Sequence, residues 1–260
     1  MRRASSFGAA CALAISCSAC GTAQGVQPGA EPQPTAHATS HEDASAAHAP
    51  HAHHHGHGHG HHGGGPLVHD FKDAERWAKD FDNPERDAWQ KPAEVVTLLR
   101  LTPGMKVADI GAGTGYFEPH LSRAVGPTGK VLALDVEDDM VKYLGARITR
   151  ESLTNVTAQK VAFDDPGLAA ASVDRILVVD TWHHIANREA YCAKLATGLA
   201  PGGFVAVVDF TMDATHGPPK EHRILPEQVK KELESAGLTG EIAVESLQEQ
   251  YVVLGRKAAK

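Results

Sequence analysis

The feature that most constrains the fold of this chain is a glycine-rich loop that directly follows a short apolar segment. Residues 106–110 read Lys-Val-Ala-Asp-Ile and predict a buried strand, and residues 111–115 read Gly-Ala-Gly-Thr-Gly. A helical pattern at 116–125, a glycine turn and a second strand at 130–136 follow. A strand, a helix and a further strand in this order make a βαβ unit with parallel strands. The chain must therefore build a sheet that helices cover on both faces.

The same alternation continues along the rest of the chain. Two lead-in helices are predicted before the loop, at 71–79 and 84–99, and later helices at 137–149, 188–199 and 226–236. Further strands are predicted at 156–162, 173–180, 204–210, 241–246 and 250–255. The last two strands have no helix between them, which favours an antiparallel hairpin. We therefore predict an α/β fold with a Rossmann-like, seven-stranded, mostly parallel sheet, helices on both faces and an antiparallel last strand.

Composition divides the chain near Pro66. The preceding residues are mostly Ala, Gly, Pro, Ser and His, and they bury too little apolar surface to offset the entropy of ordering. We therefore predict a disordered linker at 21–66 and one folded domain at 67–260. The net charge of -7 comes without a basic stripe, so nothing favours a nucleic-acid partner. The oligomeric state stays open.

The first twenty residues have the pattern of a secretory signal. Arg2 and Arg3 precede an uncharged run at 4–19, which is too short to span a bilayer as a mature helix. Residues 13–17, Leu-Ala-Ile-Ser-Cys, resemble a bacterial lipobox, and Cys20 marks a second candidate cleavage site. The pattern predicts a lipoprotein-like signal peptide at 1–20 and an exported protein, in the periplasm or lipid-anchored to the outer membrane of a bacterium. A freely secreted protein is the alternative.

Eleven of the seventeen histidines lie between residues 37 and 62. Neutral imidazoles on a flexible chain can gather around Zn, Ni or Cu ions, whereas the alternating glycines argue against one fixed geometry. The tract is either a metal-binding tail or a spacer between a membrane anchor and the domain. The candidate metal ligands are the densest histidines: His51, His53, His54, His55, His57, His59, His61 and His62.

The glycine loop differs from the loops that bind dinucleotides. A dinucleotide fingerprint, GxGxxG, would need glycine at position 116, where Tyr116 stands. Asp109 lies near the end of the first predicted strand, and Asp135 near the end of the second, about twenty residues beyond the loop. An acidic side chain at the second position can accept hydrogen bonds from both hydroxyls of a ribose. The loop therefore predicts a nucleoside-like ligand without a pyrophosphate.

With these residues, positions 95–256 resemble the class I S-adenosylmethionine (SAM) dependent methyltransferases, and most closely exported bacterial proteins with such a domain. The resemblance implies SAM as cofactor, with the Asp109 carboxylate near its methionine ammonium. It implies that Gly111, Gly113 and Gly115 line the methionine and ribose, together with Tyr116. In the same way, Asp135 would hold the ribose, and Val136 would flank the adenine. Asp164 would face the adenine amino group, and Asp180 would border the cofactor and the substrate opening.

The resemblance also places the residues after the fourth strand near the transferred methyl group. His183 and His184 are the candidate catalytic residues, and in an extended segment only one of them would face the acceptor. We favour His183, whose neutral imidazole could take the acceptor's proton. Trp182 could stack on a flat acceptor. Four polar residues on or after the fifth strand could shape the acceptor pocket: Asp209, His216, His222 and Arg223.

Three subclasses of methyltransferase fit the sequence poorly. Residues 89–92 do not match the substrate motif of isoaspartate enzymes, Asp209-Phe210 lacks the amide of a catechol-type metal site, and the domain has one cysteine where arsenite-type enzymes need several. A small organic methyl acceptor, quinone-like or phenolic, remains by elimination. The rival hypothesis is a lipid-anchored metal-binding protein whose SAM-binding domain is catalytically silent.

Overall fold

Strands and helices alternate along residues 71–260, the part of the chain that the computed structural model describes. The strands of this part are β1 (Lys106–Ile110), β2 (Lys130–Asp135), β3 (Val156–Lys160), β4 (Val173–Val179), β5 (Leu199–Phe210), β6 (Thr239–Ile242) and β7 (Gln250–Arg256). The α-helices are α1 (Ala74–Phe81), α2 (Arg86–Gln90), α3 (Pro92–Leu98), α4 (Glu118–Val125), α5 (Asp138–Arg150), α6 (Arg188–Gly198) and α7 (Pro226–Ser235). Short 3-10 turns span Trp182–His184 and Lys220–His222.

The strands of residues 71–260 form one seven-stranded sheet in the order β3-β2-β1-β4-β5-β7-β6. All neighbouring pairs from β3 to β5 are parallel, and β7 runs antiparallel to β5 and β6. The predicted fold class is confirmed. The order reverses between β1 and β4, and ligands of such sheets bind where the carboxyl ends of the strands meet this reversal.

Successive residues of β1 face opposite sides of the sheet and enter two separate cores. Val107 packs in the core that α3, α4 and α5 cover, and Ala108 packs in the core of α6 and α7. Asp109 therefore lies on the same face of the sheet as α4 and α5. The glycine loop begins at the carboxyl end of β1, close to Asp109.

Several predicted elements differ from the structure, and β5 begins at Leu199, five residues before the predicted start. The helix predicted at 84–99 is broken between α2 and α3, because Lys91 adopts a left-handed φ of 44°. The α conformation is disfavoured for a residue before proline, and Pro92 begins the new helix. The strand predicted at 241–246 is shifted, since β6 ends at Ile242. The prediction followed the apolar type of Val244, a side chain that is 97% exposed.

The predicted signal peptide and histidine linker lie outside the described residues. No helix within 71–260 is long and apolar enough to cross a membrane. The predicted domain boundary at residue 67 stays a prediction.

Candidate active site

The glycine loop after β1 needs its glycines for backbone reasons. Gly111, Gly113 and Gly115 have φ values of 73°, 57° and 89°, in the left-handed region that favours glycine. The N–H groups of Gly111 and Ala112 both donate to the carbonyl of Leu134, at 2.8 and 3.1 Å. The loop is thereby fixed to the end of β2, and its backbone forms the floor of the crevice.

Asp135, at the end of β2, holds the middle of the loop. Its buried carboxylate accepts hydrogen bonds from the N–H of Gly113 at 2.8 Å and of Glu137 at 2.9 Å. Burial raises the pKa of Asp135, and these N–H groups oppose the rise. A carboxylate has about four acceptor positions, so two remain for the hydroxyls of a ribose. The half-buried Val136 follows directly, beside the predicted adenine position.

A pair of buried acids lies beneath the loop. The side chain of Asp109 and that of Glu118, the first residue of α4, are 3% and 0% exposed. Their carboxyl groups contact each other, and no N–H or hydroxyl of the described residues donates a well-formed hydrogen bond to either oxygen of Glu118. Burial raises the pKa of Asp109 to about 7. A buried acid pair in which one carboxyl lacks a donor suits a cationic ligand group, and the methionine ammonium of SAM is such a group.

Asp180 lies directly after β4, where it was predicted to border the cofactor. Its carboxylate accepts from the guanidinium of Arg86 at 3.2 Å and from the amide of Gln250. Burial raises the pKa of Asp180 to about 7, and the Arg86 charge opposes the rise. Asp180 therefore connects α2 and β7 to the substrate side of the crevice.

His183 and Asp209 form a buried pair. The Nδ1 atom of His183, a side chain that is 6% exposed, lies 2.9 Å from Oδ1 of Asp209. Asp209 also accepts the backbone N–H of Phe210. With the Nδ1 proton donated to Asp209, the lone pair of the imidazole is on Nε2. Asp209, predicted as part of the acceptor pocket, thus orients the predicted base.

The segment that carries the two histidines is not extended as expected. It forms the 3-10 turn Trp182–His184, so the rings of His183 and His184 lie side by side, with centroids 4.3 Å apart. His184 packs edge-on against Phe71 at 5.5 Å. The stacking role proposed for Trp182 is wrong, because Trp182 is fully buried and its indole N–H donates to Glu232 at 2.8 Å.

The other predicted site residues lie away from the acid pair and from His183, or they bind backbone carbonyls. Arg223 donates to the carbonyls of the loop after β5, including Ala214 at 2.7 Å, so it shapes that loop and does not face an acceptor. His216 stacks on Trp89 at 4.9 Å. His222 is half-buried in its 3-10 turn. Asp164 is exposed in the loop between β3 and β4, where its carbonyl accepts from Lys194.

The residues that sequence reasoning missed lie in α1 and α2 and in the segment between them. Asp82 accepts from the hydroxyl of Thr114 at 2.9 Å and from the guanidinium of Arg147 at 2.8 Å. The hydroxyl of Tyr116 donates to Asp87, and Arg86 stacks on the Tyr116 ring at 4.2 Å. These helices therefore cover the glycine loop. The sequence signal that could have identified these residues is the high density of acids and arginines before the first strand.

An open cavity of about 430 Å³ lies beside Arg86. Its walls carry charged, amide and aromatic side chains: Asp80, Asn83, Glu85, Arg86, Trp89 and His216. The hydrogen bond from Arg86 to Asp180 joins this cavity to the end of β4. The cavity is large enough for a small flat molecule.

Residues 71–260 contain no group of three or more His, Cys, Asp or Glu arranged to hold a metal ion. The predicted metal ligands between His51 and His62 lie outside the part of the chain that the structure describes. Metal binding by the histidine tract stays a prediction.

Comparisons with known proteins agree with this geometry. The family model described as "Methyltransferase domain" matches residues 107–203. The "Ubiquinone/menaquinone biosynthesis C-methyltransferase UbiE" of Burkholderia cenocepacia is 28% identical over 128 residues, which cover 48% of this chain and 50% of that protein. The protein of the same name from Shewanella pealeana is 30% identical over 115 residues, covering 42% of this chain and 44% of that protein. The chain thus spans about half the length of these curated relatives.

A solved structure extends the similarity beyond that half. A SAM-dependent methyltransferase from Aquifex aeolicus is 28% identical and superposes with a TM-score of 0.67. The match covers 73% of this chain and 99% of the Aquifex chain. It therefore includes most of the residues that build the crevice.

The role of Gly111 can be tested by replacing it with Ala. A Cβ at this position would lie 2.3 Å from Oγ1 of Thr181, and its φ of 73° would be strained, so we expect a loss of about 1 to 3 kcal/mol in the free energy of unfolding. The control is Gly145→Ala in α5, where a Cβ meets nothing within 4 Å and a gain of about 0.5 to 1 kcal/mol is expected. Urea unfolding measures both, and equal stabilities would contradict the assignment.

Proposed function

We propose that this chain, whose residues 107–203 match the methyltransferase domain family, transfers a methyl group from SAM to a small organic acceptor. The observation that carries the proposal is the convergence of the glycine loop, the acid pair beneath it and Asp135 at the carboxyl ends of β1 and β2. These groups match, in order, the backbone, ammonium and ribose contacts that SAM requires. The cofactor supplies an electrophilic methyl group on its sulfonium.

The protein's own contribution is alignment and proton removal. The crevice between the loop and the end of β4 holds the acceptor in line with the methyl group and limits the access of water. His183 acts as the base through Nε2, because Asp209 keeps the proton of the ring on Nδ1. Asp209 is a positioning residue, since it acts through His183 and does not touch the acceptor.

The acceptor enters from the cavity beside Arg86. Trp89 and the stacked His216 form one wall, which suits a flat ring. Phe210 lies between this wall and the base, with its ring 5.9 Å from that of Trp89 and 6.4 Å from that of His183. The names of the UbiE relatives favour a quinone-like or phenolic acceptor, as the sequence did. The catalytically silent alternative has no support from the comparisons, which match proteins named as methyltransferases.

We also propose that residues 1–66 export and tether the enzyme. The signal pattern supports lipid attachment at Cys17 or Cys20 in the periplasm or at the outer membrane. The histidine tract would then act as a metal-binding spacer between anchor and domain. Both proposals rest on the sequence patterns alone.

The cofactor assignment predicts that the purified chain binds SAM and that Asp135→Ala binds it more weakly. The loss of hydrogen bonds to a charged group corresponds to roughly 1.5 to 3 kcal/mol, or about 10- to 100-fold in affinity. The control is Asp138→Ala, which removes an exposed acid that pairs only with Lys160 among the described cations and whose loss is expected to change little. Calorimetry measures all three proteins. Undiminished affinity in Asp135→Ala would refute the ribose contact.

The base assignment predicts different outcomes for the two adjacent histidines. His183→Ala should lower turnover by about 10² to 10⁴-fold while SAM affinity is kept, and His184→Ala should lower turnover far less. Asp209→Asn should also lower turnover, because it favours the wrong tautomer of His183. Turnover is measured on an acceptor found in a screen of phenols and quinols. Full turnover of His183→Ala at every pH would leave alignment as the sole contribution of the protein.

The histidine tract predicts a third, independent result. Deleting residues 37–62 should abolish most Ni or Zn binding and leave SAM affinity unchanged, because every proposed cofactor contact lies after residue 100. Metal binding and SAM binding are each followed by calorimetry, with and without the other ligand. A metal-dependent shift in SAM affinity would make the tract regulatory and overturn the spacer role.

A further inference from the structure

We propose that Glu118, together with Asp109, binds the α-ammonium group of the cofactor, and that this ammonium displaces a proton which the two carboxyls share in the free protein. The inference rests on the proposed use of SAM. It assigns a cofactor contact to Glu118, a residue of α4 that follows the glycine loop without being part of it. The displaced proton passes to solvent.

The first support is the position of Glu118. Its Oε2 lies 3.2 Å from the point that a Cβ on Gly115 would occupy, so the carboxyl is directly beneath the third glycine of the loop. Asp109 of β1 contacts this carboxyl, on the face of the sheet that α4 covers. Two acids from different elements therefore meet under the part of the loop that approaches the methionine end of the cofactor.

The second support is the lack of a compensating donor. Both oxygens of Glu118 are buried, and among the described residues no well-formed hydrogen bond reaches them. An ionised carboxylate in such surroundings must either take a proton or receive a cation. In the free protein the pair takes a proton. A bound ammonium would supply the positive charge and several N–H donors at once.

The charged groups around the pair leave its negative charge largely uncompensated. Arg86 of α2 favours the ionised form of Asp109, whereas Asp135 of β2 opposes it. On the α5 side, Arg147 favours the ionised form of Glu118, but its guanidinium is held by Asp82 at 2.8 Å and by the carbonyl of Thr114 at 3.2 Å.

Burial outweighs these neighbours. It raises the pKa of Asp109 to about 7 and the pKa of Glu118 well above its usual range, although the backbone N–H of Glu118 opposes the second rise. At neutral pH the pair therefore retains at least one proton. A cation that binds only the ionised pair must compete with this proton, so its affinity falls as the pH falls.

The test is calorimetry of SAM binding to the full chain between about pH 5.5 and about pH 7.5, in two buffers of different ionisation enthalpy. We expect affinity to fall by up to about tenfold per pH unit on the acid side, with release of up to about one proton per SAM bound. As a second ligand, 5′-methylthioadenosine has the adenosine and the thioether without the ammonium. Its affinity should not change with pH, and a slope equal to that of SAM would overturn the proposal.

The test variant is Glu118→Gln, with Glu189→Gln on the exposed side of α6 as the control for loss of one acid. The amide in Glu118→Gln donates to Asp109 but cannot release a proton, so both the pH slope and the proton release should become smaller than in the wild type. The control should keep both. A wild-type slope in Glu118→Gln, or wild-type binding without proton release, would refute the shared-proton site while leaving the methyltransferase assignment intact. Failure of the wild-type chain to bind SAM at every pH would instead refute the proposed function.

Discussion

The close contact between the loop after β1 and the turn after β4 is the constraint on which the site depends. In the parallel register, Ile110 lies opposite Leu134 on one side and Val178 on the other, so three strands end at the same level. The loop can then lie flat against the Thr181 side chain only because Gly111 has no Cβ. Asp135 and His183 are brought to the same crevice by this alignment, although 48 residues of chain separate them. The register of the strands therefore positions these side chains before any ligand binds.

The helices before β1 complete the crevice through charged contacts. Asp82, Arg86 and Asp87 bind Thr114, Asp180 and Tyr116 in turn, which places α1 and α2 over the loop. Each of these pairs is partly exposed, so each contributes modestly to stability. Their joint effect is geometric, because they define the cavity beside Arg86 through which we propose that the acceptor enters. The same helices thus connect cofactor binding to acceptor binding.

Much of the fold and of the cofactor loop could be predicted because the signals are local. The need for glycine at a positive φ, and the position of Asp109 and Asp135 at strand ends, can be read within about thirty residues of sequence. Contacts between distant parts of the chain could not be predicted in this way. Arg86 and Asp180 are 94 positions apart, and Arg147 and Asp82 are 65 positions apart. Residue type also misled where burial decided the role. Trp182 and Arg223 have the chemistry of binding residues, but one is buried in the core and the other is bound to backbone carbonyls.

The buried acids explain why the crevice suits a cationic cofactor and not a phosphate. Burial raises the pKa values of Asp109, Asp135 and Asp180. A carboxyl whose pKa is raised on folding stabilises the native state while it is protonated. This stabilisation is lost as the pH rises from the pKa of the carboxyl in the unfolded chain toward its pKa in the folded protein, which is about 7 for Asp109. The free protein near neutral pH thus keeps acids in the crevice at a cost to its own stability. Backbone N–H groups and Arg86 offset the cost for Asp135 and Asp180, but Glu118 of the acid pair has no comparable donor among the described residues. A ligand that brings positive charge to that pair relieves the cost, whereas a phosphate would add to it.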